Sequence, residues 1–189
     1  QAQSDLLSSQ SQLDNLRNLA GNLRTQLCLL TGWKADSVPE IGSVPAADPS
    51  KIASIDLTAD IQKAIGNNQT LISQRHASST KSTAAIDNRL KNIDVSEQQL
   101  TVEMQRLYQV MQQKKILNDA AETAYQKALL AKGAAERQYQ LNMLSKLQYL
   151  GAEVQYYQAE GARKSADTAL LQAMLDYDWA VQGFVSVPQ

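Results

Sequence analysis

From about residue 95 to the end of the chain, apolar and small residues recur three and four positions apart along two separate lines. That doubling limits the fold more than any other feature. Leu100, Leu107, Val110, Leu117, Ala121, Ala124, Ala128, Ala131 and Ala135 follow one line, and Ile116, Ala120, Leu130, Ala134 and Leu141 mark a second. Past residue 145, Leu147, Leu150, Val154, Tyr157, Gly161, Leu171 and Leu175 form one line. Ala159, Ala162, Ala166, Ala169 and Ala173 form another, nearly opposite. The 3-4 spacing is that of a helix. A two-stranded hairpin needs one such line per helix, with the other face charged and solvated. Two lines call for neighbours on two sides, as in a layered bundle or a closed ring of helices. One chain of 189 residues has too few helices to close a ring, so self-association is the expected cover for the second line. The expected fold class is all-α, built from elongated antiparallel coiled-coil hairpins and lacking a β-barrel.

Between the two long helices lies a well-marked reversal at 139–155. Asn142 tolerates the left-handed conformation that ends a helix. Ser145 then opens the next helix as N-cap, with Gln148 completing a Ser-x-x-Gln capping box. Leu144 and Tyr149 occupy the two positions of a hydrophobic staple. The residues fit a plain hairpin turn and a turn with a partner at its tip equally well. At about 1.5 Å per residue, the helix from Ser145 to about Gln182 spans ~57 Å and the one before it ~65–70 Å.

Earlier parts of the chain are more broken. Residues 1–32 keep a heptad line, Leu6, Leu13, Leu16, Ala20, Leu23, Leu27 and Leu30, closed by Gly32. Pro39, Pro45 and Pro49 make 33–57 a linker rather than a helix. A third region, 58–189, starts near Thr58 with the short apolar face Ile61, Ala64 and Ile65, and Gly66-Asn67-Asn68 is a kink or break. Ser78, Ser79, Thr80, Ser82 and Thr83 are poor helix formers. With Asp94 and Glu97 spaced as a further capping box, a break is expected within 76–94.

Composition narrows the function. Aromatics are 5% of the residues, too few for a thick core and suited to thin helical packing. Net charge is −1 with the signs interspersed, so neither a nucleic-acid stripe nor an anionic-membrane surface is expected. No apolar run reaches the roughly 20 residues of a membrane span. Cys28 is the only cysteine and reads as an apolar filler beside Leu27 and Leu30. His76, the only histidine, reads as a solvated surface residue rather than a base or metal ligand. No Cys/His cluster, phosphate loop or nucleophile elbow occurs, so no catalysis, metal or cofactor is expected. The sequon Asn68-Gln69-Thr70 carries no weight without a glycosylating host. Tyr139, Tyr149, Tyr156, Tyr157 and Tyr177 read as interface residues with one wet end, and Trp33 and Trp179 as packing at the broad end of a bundle. The opening Gln1, with no initiator methionine and no signal peptide, reads as the start of a processed or truncated product.

Several stretches together resemble the TolC-like outer-membrane efflux family. Ala64-Ile65-Gly66-Asn67-Asn68-Gln69-Thr70-Leu71 resembles that family's A-L-x-x-N-P-x-L repeat opening, with Gln69 in the proline position. Leu141-Asn142-Met143-Leu144-Ser145 resembles its second helical tip, with Asn142 in place of a glycine. Ala152 to Gly183 resembles its closing helix, and 1–32 the closing helix of the first of its two repeats. The likeness covers most of the chain. Each motif is degenerate alone, and their order and spacing carry the weight.

The resemblance implies a homotrimer whose helices close into a hollow tunnel in the cell envelope. It also implies tips that dock onto a membrane-fusion adaptor serving an inner-membrane pump. On that reading the docking residues are Leu141, Asn142, Met143, Leu144 and Ser145. Two departures matter. The interval 72–95, where the family places barrel strands, is polar and lacks their alternation. The barrel is then naturally missing or removed, and membrane insertion of this chain is not expected. Gln148 and Gly151 stand where the family often has acidic residues, and Leu144 where it has a basic tether, so a charged, gated entrance does not carry over. The rival reading is a purely structural coiled-coil spacer or surface-assembly protein with no transport role.

Overall fold

The computed structural model describes residues 2–34, 37–40, 42–76 and 82–185. Among these every regular element is an α-helix and no strand occurs. The chain divides into two units, 1–43 and 44–189.

The first unit is α1, Ala2–Leu30, followed by an irregular segment. Gly32 takes φ 75° just past the helix. The Gly32 amide donates to the Leu29 carbonyl and the Trp33 amide to the Cys28 carbonyl, the paired bonds of a Schellman motif. Glycine is used because a Cβ is unfavourable at that φ. Leu6, Leu13, Leu16, Leu23, Leu27 and Leu30 are all exposed. Cys28 is buried, as expected of a filler, but Leu27 and Leu30 beside it are not. Its thiol donates to the Ser37 carbonyl at 3.6 Å, so the returning segment, and not the leucine line, covers it.

The second unit contains α2, Ser50–Ala53; α3, Leu57–Asn67; α4, Gln69–His76; α5, Thr83–Gln140; and α6, Lys146–Val181. The 58 residues of α5 make a spine about 87 Å long at ~1.5 Å per residue. Helix α6 folds back along it, while α3 packs on both α5 and α6, and α4 on α5. The core sits where these helices meet. It comprises Ile52, Ile61, Ala64 and Leu71 from the short helices, Leu100, Met104 and Met111 from α5, and Leu170, Ala173, Met174, Tyr177 and Ala180 from α6. Ile52 lies in the proline-containing stretch, and Ala47, Ile55 and Leu57 pack around the same core.

The break expected within 76–94 falls between α4, ending at His76, and α5, starting at Thr83, and no capping-box break occurs at Asp94. Helix α5 runs through it, and Asp94 accepts from the side chain of Gln98 one turn on. The reason is packing: Ser96 and Leu100 are buried, and Glu97 pairs with Arg75 of α4 at 2.8 Å. Weak local propensity yields to such contacts. The helix therefore starts at Thr83, about a dozen residues earlier than the apolar pattern indicates. Residues 77–81 lie outside the described ones.

The break at Gly66-Asn67-Asn68 is present and narrow. Asn68 alone leaves the helical region, with ψ 115°, between α3 and α4. It is 1% exposed, and its side chain makes three hydrogen bonds. Its Oδ1 accepts from the Leu71 amide at 3.1 Å, which makes it the N-cap of α4. Its Nδ2 donates to the carbonyls of Gly183 and Val185, both at 3.2 Å. Beyond α6, Gly183 has φ 91° and closes a second Schellman motif, Gly183 amide to Ala180 and Phe184 amide to Trp179. The motif leaves the Gly183 and Val185 carbonyls free to accept, and Asn68 takes both. With its amide nitrogen committed and buried, Asn68 is no glycan acceptor in this fold. In the segment likened to A-L-x-x-N-P-x-L, the buried members are Ala64, Asn68 and Leu71. Gln69, in the proline place, is the first residue of α4, where a missing amide hydrogen costs nothing.

Candidate docking tip

Helices α5 and α6 meet along a seam whose register can be read from ring contacts. Tyr139 stacks on Tyr149 with centroids 5.2 Å apart. The Lys132 ammonium lies 4.4 Å over the Tyr156 ring, and the Arg163 guanidinium 4.7 Å over Tyr125. Each strand of these contacts advances by one heptad, Tyr139, Lys132, Tyr125 against Tyr149, Tyr156, Arg163. Two heptads further on, the same spacing reaches Met111 and Tyr177, both buried in the core. On α6 the seam alternates large with alanine: Tyr149, Ala152, Tyr156, Ala159, Arg163, Ala166, Leu170, Ala173, Tyr177, Ala180. Every member is at least half-buried. On α5 the matching alanines are Ala121, Ala128 and Ala135. Alanine at alternate positions lets the backbones approach, and the large side chains fill the space between them.

The other lines remain open. On α5, Ile116 and Leu130 are 68% and 74% exposed. On α6, Leu147, Val154, Tyr157 and Leu175 are exposed. These larger apolar residues therefore face away from the hairpin, while Ala152, Ala159, Ala166 and Ala173 of α6 face in. Between Met111 and Leu170 the only buried hydrophobic residue is Ala135, so the distal arm has no core of its own.

Polar contacts stiffen the middle of the arm. Arg163 also pairs with Glu122 at 2.9 Å, and Lys132 approaches Glu153 at 3.9 Å. The Tyr125 and Tyr156 hydroxyls lie 3.5 Å apart. That hydrogen bond, with burial and the nearby Glu160 carboxylate, pushes the Tyr156 hydroxyl up to about 12. Glu160 is held below its ordinary value by its bond to Lys164. In the core, burial and the Asp60 carboxylate raise the Tyr177 hydroxyl, which donates to Asp60 at 3.2 Å. Tyr177 is thus a core residue, whereas Trp179 stays half-exposed against the Phe184 ring. Among the described residues no group of three His, Cys, Asp or Glu side chains is placed to hold a metal ion. No described helix is long and apolar enough to cross a membrane.

The arm ends in the expected reversal. Asn142 has φ 56°, the single non-glycine with positive φ among the described residues. Its amide donates to Tyr139 and the Met143 amide to Gln138, a third Schellman motif with asparagine in the left-handed place. Ser145 caps α6: its hydroxyl accepts from the Gln148 amide at 3.3 Å, and the Gln148 side chain accepts from the Ser145 amide at 3.0 Å. The turn is fixed by backbone and cap bonds, so the side chains of Leu141, Met143 and Leu144 are not needed to hold it. Leu141 is 68% and Met143 73% exposed, and Leu147 beside them 81%. Asn142 and Ser145 are exposed and Leu144 is half-buried. The five tip residues thus form one short loop with an apolar outer face. Tyr149, placed for a staple with Leu144, stacks on Tyr139. No protein-family model matches the chain, and no curated protein or solved structure does so significantly.

Proposed function

We propose that this chain is a non-catalytic envelope protein of the TolC-like kind, without its β-barrel. It serves as a conduit or scaffold in an export system and docks an adaptor through its helical tip. The observation that carries the reading is the tip itself: a reversal locked by backbone and cap bonds that holds Leu141 and Met143 out to solvent. Exposed apolar side chains on a rigid loop suit insertion into a partner groove. The uncovered outer lines of α5 and α6 support the second half of the proposal, that copies of the chain associate side by side. A trimer closing around a hollow interior would cover those lines and place several tips at one end. The chain would then act outside the cytoplasm.

Replacing Leu141, Met143 and Leu144 with Asp tests the docking half. Because the turn is held by its backbone, the triple variant should keep its helical content and lose adaptor binding. Binding that stays unchanged removes the docking claim. Solution mass tests the assembly half, since a stable monomer at high concentration removes the tunnel. A monomer, or an assembly with no affinity for an adaptor, leaves a structural spacer as the better description.

A further inference from the structure

We propose that Met143 is a selective oxidation site, through which hydroperoxides convert the apolar tip into a polar one without disturbing the fold. The chain has four methionines and one cysteine. Met104, Met111, Met174 and Cys28 are 0%, 1%, 9% and 0% exposed, whereas Met143 is 73% exposed. Oxidation of sulfur follows access to solvent, so one of these five side chains is open to attack. A thioether lone pair attacks the outer oxygen of the hydroperoxide, and the O–O bond breaks. An S=O bond forms, and the proton moves to the departing oxygen, giving water from hydrogen peroxide. The sulfur loses two electrons and the peroxide gains them.

The geometry separates this chemistry from folding. Met143 contributes to the turn through its amide, bonded to the Gln138 carbonyl at 2.8 Å. Its side chain holds nothing in place. The sulfoxide instead adds a strongly polar group to a tip whose other exposed apolar residues are Leu141 and, at the start of α6, Leu147. A partner would have to desolvate that group, which lowers affinity by roughly ten- to a hundredfold. That consequence rests on the docking reading above, whereas the selectivity does not.

The full chain is treated with graded hydrogen peroxide, and each methionine is followed by peptide mass mapping. Met143 is expected to oxidise at least about tenfold faster than Met104, Met111 or Met174. Circular dichroism and melting should stay the same, while retention on a phenyl matrix falls. Methionine sulfoxide reductase should restore that retention, and M143L should show no early oxidation. Comparable rates at the four methionines overturn the proposal, as does loss of helix on oxidation or unchanged retention. If the Asp-substituted tip still binds an adaptor, the docking reading fails while the oxidation result stands.

Discussion

Asn68 ties the α3–α4 break to the end of α6, and removing its side chain should cost far more than a surface substitution. Asn68→Ala deletes the N-cap of α4, worth about 1 kcal/mol. It also leaves the Gly183 and Val185 carbonyls without their donor at a site that is 1% exposed. Each lost bond adds about 1 kcal/mol, for a total of roughly 3 kcal/mol. With a urea slope of about 2 kcal/mol/M, the midpoint should fall by about 1.5 M. Asn68→Asp separates the two roles. It keeps the acceptor for the Leu71 amide and so keeps the cap. Its second oxygen, however, faces two carbonyls with no proton to offer. The aspartate should therefore be at least as unstable as the alanine variant near neutral pH. Protonating it restores one donor, so its folded pKa lies above the unfolded value, and stability should recover as pH falls. Urea unfolding of both variants, at neutral and mildly acidic pH, gives the answer. An alanine variant within about 0.5 kcal/mol of the parent, or an aspartate variant insensitive to acid, refutes the argument.

Other outcomes follow from the same contacts. Gly183→Ala should cost about 2–4 kcal/mol, because its Cβ would meet the Asn67 carbonyl oxygen at 2.5 Å and φ is 91°. Gly32→Ala, also left-handed but with nothing within 4 Å, should cost only about 1 kcal/mol, read from amide exchange at Trp33. Gln69→Pro should be neutral or stabilise by up to about 1 kcal/mol in urea unfolding, since Asn68 already has the extended ψ a following proline requires. The Tyr156 hydroxyl is raised in the fold from 10.0 to about 12, so its contribution is whole below pH 10 and is lost as pH climbs toward 12. The parent should lose more thermal stability across that alkaline window than Tyr156→Phe, and equal losses would discount the Tyr125 contact.

The parts of the fold legible in the sequence were those fixed by local chemistry. Asn142, Ser145 and Gln148 specify their turn through bonds made within a few residues. Gly32 and the Gly66-Asn68 break are equally local. The start of α5 was not legible, because Glu97 is held by Arg75 of α4, and Ser96 and Leu100 are buried by tertiary packing. The partners of the seam were half legible. Ala121, Ala128 and Ala135 stand out as apolar, but Lys132 and Arg163 read as solvated charges, although their cationic heads lie over tyrosine rings. A search for residues mirrored about Leu144, such as Tyr139 with Tyr149 or Lys132 with Tyr156, would have found them. The second role of Asn68 was hidden for a different reason: its acceptors lie more than a hundred residues away.

That seam also bears on what the arm requires. The end of α6 near the core is anchored by Leu170, Met174 and Tyr177, all buried, whereas the distal arm relies on alanine contacts and half-buried ring pairs. Surface ion pairs such as Glu122–Arg163 contribute about 0–1 kcal/mol each. Cation–π contacts at exposed sites contribute about 0.5–1 kcal/mol each. Those contributions set the register of two helices better than they resist fraying. Deeper burial is available only on the outer lines, through Ile116, Leu130, Val154 and Tyr157. An arm stabilised there would gain order from whatever covers it, and would pass that order to the tip through two continuous helices. Association along the arm and docking at Leu141 and Met143 would then be coupled, with the first lowering the entropic cost of the second.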